Sequence, residues 1–382
     1  MKILNIIPYF GSEYGGPFIN AINISRHLRR DGHLVDIAST FKKPALHKRA
    51  EEIIGYKDYN PYIYNYARME NFLCFSPGFA KGFKNIVKNY DVIFIHGFWR
   101  FPTSFAAHYC RKHKIPYFLF THGQLSKWSL SQRRIMKLIY FHLFSNKDFN
   151  LANAIFFMRQ DEKAFLEKIK ANVVIFKNAI DSRDILSFQD INYRDTKDAL
   201  QKTGKLLYLA RIHPKKGLLL LVQALNEVIK CFPDIILTVA GPIEDKSYFK
   251  KINEFIKNNK LEKYIVFKGI VFGEEKKDVL SNNNIMILPT LDDCAPLSII
   301  EGLAAGLAVI TTKEADISEI DNVMGFVVER NVTAIKEAIV KLINNPALLI
   351  KMKNAGKDYI LRNFNWDIRS KELIATIQAN IK

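Results

Sequence analysis

Short apolar runs of about five residues alternate along this chain with longer stretches whose apolar positions recur every three or four residues. Lys2–Ile7 is the first run, rich in β-branched residues and of strand length. A glycine-rich turn follows, Gly11-Ser-Glu-Tyr-Gly15-Gly16, and Pro17 suits the first position of a helix with Phe18, Ile22 and Leu28 on one face. Arg29 and Arg30 fall in its last turn, where cations oppose the helix dipole, and Gly32 ends it. Leu34–Ala38 reads as the returning strand of a βαβ unit. Asp91–Ile95 and Tyr117–Phe120 each run into a His-Gly pair, His96-Gly97 and His122-Gly123. Ala154–Met158 and Val173–Phe176 add further strands, so the pattern predicts a parallel sheet wrapped by helices.

From Asp181 to Gly204 the chain turns polar and loses its period, as a linker does. The alternation then restarts: Leu206–Ala210 as strand, Arg211–Gly217 as a basic turn, Leu218–Lys230 as helix and Ile235–Ala240 as strand. Strands are expected again at Ile265–Lys268, Ile285–Pro289 and Ala308–Thr311. The expected fold class is α/β: two Rossmann-like, doubly wound domains facing across a cleft, with ligand at the strand ends. Domain limits are placed at 1–185 and 186–362. Residues 363–382, amphipathic through Ile368, Leu373 and Ile377, are expected to form a helix packing back on the N-terminal domain.

Charge changes this picture. Of the net +18, the first 180 residues supply +15, with 27 lysines and arginines against 12 acidic residues. Such a one-sided field favours an anionic partner there: a membrane surface, a nucleic acid or a phosphorylated substrate. A composition that is 48% hydrophobic and 25% charged excludes a disordered chain. The four cysteines (Cys74, Cys110, Cys231, Cys294) lie far apart without a Cys-x-x-Cys, and read as buried thiols in a reducing compartment. No apolar run approaches the ~18 residues of a spanning helix. The start lacks a signal-peptide cleavage site. The expected location is cytoplasmic, peripheral on the cytoplasmic face of an inner membrane.

Two segments could carry chemistry. Arg211-Ile-His-Pro-Lys215-Lys216-Gly217 sets cations at a helix N-terminus, whose free N–H groups already favour an anion. A diphosphate suits it, and a solvated basic turn explains it equally well. The second runs from Asp292-Asp293 through Pro296 to Glu301 and Gly306. At ~1.5 Å per helical residue, eight positions separate Asp293 from Glu301 by at most ~12 Å. That exceeds the ~5 Å of a retaining-hydrolase pair and suits the two ends of an elongated ligand. The amides of Leu297 and Ser298 lie between and would face phosphates. Glu301 has apolar neighbours, so its carboxylate is expected to have a specific hydrogen-bonding task.

The histidines differ in weight. His122, at a strand end, is read as functional; His96 either lines an acceptor side with Trp99 or merely caps its loop. His213 is read as incidental and Trp366 as a packing anchor. Two basic, aromatic stretches are candidates for a lipid boundary: Phe72, Phe75, Phe79 and Phe83 among Lys81, Lys84 and Lys88, and Lys127, Arg133, Arg134 and Lys137 ahead of Ile139–Phe144. The alternative is that the rings are core.

The ordered series Gly15-Gly16, Asn178-Ala-Ile-Asp181, Ala210-Arg211…Lys216-Gly217, Ala240-Gly241-Pro242, Phe267-Lys-Gly269, Leu288-Pro289-Thr290 and Asp293-x7-Glu301 resembles glycosyltransferase family 4 over the whole chain. Thr121-His-Gly-Gln-Leu-Ser-Lys-Trp128 resembles its bacterial members that build exopolysaccharide, capsule or O-antigen. The resemblance implies the GT-B fold and a retaining transfer. It implies that Arg211 and Lys216 hold the donor diphosphate, that Glu301 binds ribose, and that Asp293 and His122 contact the transferred sugar. Gly15, Gly16, Asn178, Leu297 and Ser298 complete the implied donor site. Asp293 stands where Glu is usual, Ala295-Pro296 where Phe-Gly often stands, and Ala210 and Ala179 replace glycines.

The expected reaction is sugar transfer from a nucleoside-diphosphate sugar to a lipid-linked or glycan acceptor. No further cofactor is expected. The chain has no Asp-x-Asp, so no phosphate-bridging metal is expected either. A sugar-nucleotide epimerase or a phosphorylase would share the fold. A nucleic-acid-binding role leaves Asp293 and Glu301 without purpose and sets carboxylates against a polyanion.

Overall fold

The computed structural model describes residues 1–8, 10, 16–41, 63–69, 73–167, 169–181 and 204–381. Gly15, Phe72 and nearly all of the expected linker lie outside them. The chain divides into two compact units, Met1–Asn178 with Trp366–Lys382, and Ala179–Asn365.

In the first unit β1 (Lys2–Ile6), α1 (Gly16–Arg30) and β2 (Leu34–Phe41) form the opening βαβ. There follow β3 (Ile63–Ala67), α2 (Pro77–Ile86), β4 (Val92–His96), α3 (Phe101–His113) and β5 (Tyr117–Phe120). Next come α4 (Lys127–Ser131), α5 (Arg134–Tyr140), a π-helical turn (Phe141–Ser145) and α6 (Asn146–Asn150). The unit continues through β6 (Ala154–Phe157), α7 (Gln160–Leu166) and β7 (Asn172–Ile175). The seven strands pair in the order β3-β2-β1-β4-β5-β6-β7, all parallel. A parallel sheet is covered on both faces, which is why β4, β5 and β6 are buried along their whole length and, apart from His96, apolar.

The second unit holds β8 (Lys205–Leu209), α8 (Leu218–Val228), β9 (Ile236–Ala240), α9 (Lys246–Asn258), β10 (Ile265–Gly269) and α10 (Gly273–Ser281). It continues with β11 (Ile285–Leu288), α11 (Leu297–Ala304), β12 (Ala308–Thr312), β13 (Gly325–Val328), α12 (Val332–Ile343) and α13 (Pro346–Asn363). Its strand order is β10-β9-β8-β11-β12-β13, again wholly parallel. The last helix, α14 (Trp366–Asn380), belongs to the first unit. There Trp366 is fully buried and stacks on His27 at 5.6 Å, Ser370 donates to Asp31 (2.7 Å), and Asp367 pairs with Arg30.

Two expectations are corrected. Phe79 and Phe83 are fully buried and stacked 5.7 Å apart on the inner face of α2, with Lys81, Lys84 and Lys88 outward; these rings are core and carry no lipid contact. Only Cys74 and Cys110 are buried thiols, Cys231 being exposed and Cys294 intermediate. Two strands, β3 and β13, had no counterpart in the reading of the sequence. Both are edges, where one neighbour suffices and the apolar signal is weak.

Candidate active site

Each sheet winds outward in both directions from one pair of neighbouring strands, and loops after such a pair diverge to leave room for a ligand. In the second unit that pair is β8 and β11. The loop after β8 carries Arg211 to Gly217, and the loop after β11 carries Pro289 to Pro296. They meet closely at one point. Gly217 adopts φ +75°, and a Cβ there would lie 2.2 Å from the Pro289 carbonyl oxygen, so no other residue fits. The Leu291 amide donates to the Lys215 carbonyl (2.8 Å), as does the Thr290 hydroxyl (3.2 Å). His213, read as incidental, caps the turn by accepting from the Lys215 amide at 3.1 Å.

Lys216 Nζ lies 2.5 Å from Asp293 Oδ2, and the same oxygen accepts from the Thr290 hydroxyl at 2.8 Å. Both side chains are nearly buried. Burial alone would raise the Asp293 carboxyl, but the positive charges of Lys216 and Lys215 overcome it and hold the group below its ordinary value. Burial likewise holds Lys216 below the usual lysine range despite its partner. Lys215 pairs separately with Asp292 at 2.9 Å. Arg211 contrasts with these. Its guanidinium reaches Glu244 at 2.8 Å, and both partners are more than two-fifths exposed (42% and 43%). An exposed pair contributes at most ~1 kcal/mol, so Arg211 can exchange Glu244 for a phosphate at little cost.

Pro296 precedes α11 without a side-chain cap, so the Leu297 and Ser298 amides lack the partners a capping residue supplies. Further along this helix Ile299, Ile300, Leu303 and Ala304 are fully buried. Glu301 is the exception: 22% of its side chain is accessible, and its carboxylate takes a 2.6 Å ion pair from Lys276 on α10.

The first unit has its own diverging pair, β1 and β4. Asn5 on β1 donates through Nδ2 to Ser25 Oγ (2.6 Å), which donates to the Ala21 carbonyl (2.8 Å). Asn5 Oδ1 therefore faces His96 Nε2 at 2.8 Å, and because a carbonyl only accepts, that nitrogen carries the proton. The Nδ1 of neutral His96 accepts in turn from His122 Nε2–H at 2.8 Å. His122 is left with a bare Nδ1. His96 is fully buried beneath the His122 ring, so it does not itself line an acceptor surface, as one reading had placed it. His122 sits at φ +50° in a loop that Glu162 holds by accepting from the Leu125 and Met158 amides and the Thr121 hydroxyl. Burial pushes His122 down to about 3, and burial, reinforced by His122, holds His96 well below its ordinary value.

These histidines resist charging in the fold and accept protons once unfolded, so folding stability is fully present above pH ~6.5 and declines as pH falls towards 4. The melting temperature of the wild type is expected to follow that decline. In His122→Asn the slope is expected to fall by about one proton's worth, ~1.4 kcal/mol per pH unit. Equal slopes would show that His122 is protonated in the folded protein.

Three further expected site residues, Gly16 and Asn178 for the donor and Trp99 for the acceptor side, lie in the first unit. Gly16 begins α1 with open space around it, and Asn178 accepts from Asn20 Nδ2 at 2.9 Å within the first unit. Trp99 is buried in the same unit's core.

Residues 14–184 match the family described as Glycosyltransferase Family 4, and residues 190–359 match Glycosyl transferases group 1. The chain belongs to this glycosyltransferase family. An uncharacterised glycosyltransferase of Methanocaldococcus jannaschii is 23% identical over 291 residues, 74% of each chain. The lipopolysaccharide 1,2-N-acetylglucosaminetransferase of Salmonella typhimurium is 26% identical over 193 residues, covering 46% of this chain and 48% of that one. The amylovoran biosynthesis glycosyltransferase AmsK of Erwinia amylovora is 25% identical over 48% and 46% respectively. This glycosyltransferase thus spans about half the length of the latter two. Among solved structures, Anabaena HepE in complex with UDP and glucose superposes with a TM-score of 0.75 at 17% identity, over 99% of this chain and 100% of that one. The fold is GT-B.

Several residues that hold the candidate side chains within each unit of this glycosyltransferase carried no functional reading from sequence: Glu244, Lys276 and Thr290 in the second unit, Asn5 and Glu162 in the first. Asn5 did leave a signal, as a lone amide within the apolar run of β1. Glu162 caps the start of α7 by accepting from the Arg159 amide at 3.3 Å, but without a Ser or Thr three residues before it little in the sequence signals this. Lys276 and Glu244 look like any surface charge.

Proposed function

We propose that this glycosyltransferase moves a sugar, with retention of configuration, from a nucleoside-diphosphate sugar to a hydroxyl of a lipid-linked or glycan acceptor in bacterial surface-polysaccharide synthesis. The observation that carries this reading is the placement of Lys216. Asp293 fixes its ammonium beside the segment leading to the uncapped start of α11, where backbone amides and the helix dipole favour an anion. An ammonium has three N–H donors, and Asp293 does not use them all. Arg211 leaves Glu244 for the diphosphate and stabilises charge as the bond to the sugar breaks. The departing phosphate oxygen takes the acceptor's proton, so no protein nucleophile and no metal are required. Asp293 serves first as the counter-ion of Lys216, which bears on its expected contact with sugar hydroxyls. Glu301, anchored by Lys276 and open to solvent on one side, accepts from the ribose hydroxyls. His122 presents its Nδ1 lone pair to a substrate hydroxyl.

A bilayer surface completes the reading. Ile135, Ile139 and Leu143, spaced four residues apart, are 75%, 54% and 70% exposed beside the cations of α4 and α5. Among the described residues no helix is long and apolar enough to cross a membrane.

Assay of purified protein against a panel of nucleoside-diphosphate sugars tests the reading. Arg211→Ala is expected to lower kcat by ~10²–10³, the loss typical of one transition-state charge donor. Glu301→Ala is expected to weaken donor binding by ~10–100-fold, since hydrogen bonds to a charged group contribute ~1.5–3 kcal/mol. Wild-type transfer by both variants would remove the assigned donor site. Reversible loss of activity in EDTA would overturn the metal-free step.

A further inference from the structure

The inner side of α5 borders a cavity of about 330 Å3 that the proposed chemistry does not use. Its walls include Trp99, Leu130, Leu138 and Phe141. Its edge carries three cations, Lys127, Arg134 and Lys137. Among the described residues none of the three has a carboxylate partner. Lys137 instead donates to the Ser129 carbonyl and lies 5.4 Å over the Trp99 ring. Burial, and after it the neighbouring Arg133, hold its ammonium below the ordinary lysine range. A second observation is independent of charge. The Trp99 indole N–H is buried and has no hydrogen-bond partner among the described residues, although a buried donor is costly to leave unmade.

Apolar walls, unpaired cations and an idle donor together describe a site for an amphiphilic anion. At about 30 Å3 per water-sized group the cavity seats roughly ten carbons, near the lower end of ligand pockets. That is the first segment of a long hydrocarbon chain and not the whole of it. The remainder would leave along the exposed Ile135, Ile139 and Leu143 face of the same segment. We propose that this cavity binds the phosphate-bearing end of the lipid that carries the acceptor sugar, chain against Leu130 and Leu138, phosphate at Lys127, Arg134 and Lys137. This rests on the reading of the acceptor as lipid-linked.

Farnesyl phosphate below its micelle concentration is a direct probe of the full chain, followed by calorimetry. It is expected to bind saturably, with farnesol and inorganic phosphate each at least about tenfold weaker. Reversing one exposed charge in Arg134→Glu is expected to weaken it by about tenfold or more, since an attraction for the anionic head becomes a repulsion. Leu138→Trp fills the cavity and is expected to abolish binding with the melting temperature and donor affinity intact. Ile139→Ser with Leu143→Ser is expected to lose flotation on phosphatidylglycerol vesicles while keeping farnesyl phosphate. No binding by the wild type, or binding indifferent to both Arg134→Glu and Leu138→Trp, overturns the proposal. So does a Leu138→Trp protein that loses vesicles but keeps farnesyl phosphate, which would make this face a bilayer contact only. Failure of the transferase reading appears separately, as a wild type that takes no nucleoside-diphosphate sugar.

Discussion

Methionine in place of Lys216 is expected to lower the sugar-transfer rate by ~10²–10³ and to destabilise the second unit by ~3–5 kcal/mol. The two losses have different origins. The rate falls because the ammonium no longer meets the leaving diphosphate. Stability falls because Asp293, nearly buried, loses the ammonium that contributes most to holding its charge. At ~2–4 °C per kcal/mol for a unit of this size, the melting temperature should drop by roughly 6–20 °C. The deficit should shrink in mild acid, since without Lys216 burial weighs more heavily, raises the Asp293 carboxyl and lets a proton neutralise it. Replacing the pair together, Lys216→Met with Asp293→Leu, separates the effects. Apolar replacements for a buried ion pair are often neutral for folding, so calorimetry should show most of the melting temperature restored while single-turnover transfer stays lost. Recovery of transfer in the double variant would remove Lys216 from the chemistry.

The second large effect is expected from His96→Leu. It leaves Asn5 Oδ1 and the His122 Nε2–H without partners, each costing ~1–3 kcal/mol. A purely structural residue would do no more than that. His96 should also release His122 from a single tautomer, so kcat should fall in the surviving folded protein while donor KM changes little. Ring ¹⁵N shifts read the difference: wild-type His122 should show a protonated Nε2 and a bare Nδ1, and the variant a mixture. One unchanged tautomer in both proteins would sink the positioning role.

What could be read from sequence follows from what is local. Central parallel strands are covered on both faces and appear as unbroken apolar runs, so β1, β4, β5, β8, β9 and β11 stand out without a structure. The edges do not. Ile63–Ala67 alternates aromatic and polar residues half in solvent, and Gly325–Val328 is four residues long. In the second unit the basic turn and the acidic loop are visible as separate segments. That Lys216 closes on Asp293, 77 positions away, depends on β8 and β11 being neighbours, and sheet order is not written in any local window. The same limit explains Glu301 and Lys276. The aromatic, basic stretches show a further ambiguity. Phe79 and Phe83 at four-residue spacing fit a buried helix face and a lipid-facing one alike, and only the neighbouring α3 and β3 decide it. Ile139 and Leu143 have the same spacing and no such cover.

The return of α14 to the first unit has a consequence for biogenesis. Synthesis proceeds from the amino end, so the ribosome delivers every strand of the second unit before Trp366 can reach His27 and Phe176. Until then the flank of α1 stays uncovered, with Asp31 and Asn153 lacking their bonds to Ser370 and Asn380. The half made first is therefore the half finished last, and a nascent chain stalled short of its final helix would present a sticky, incomplete N-terminal unit to chaperones and proteases.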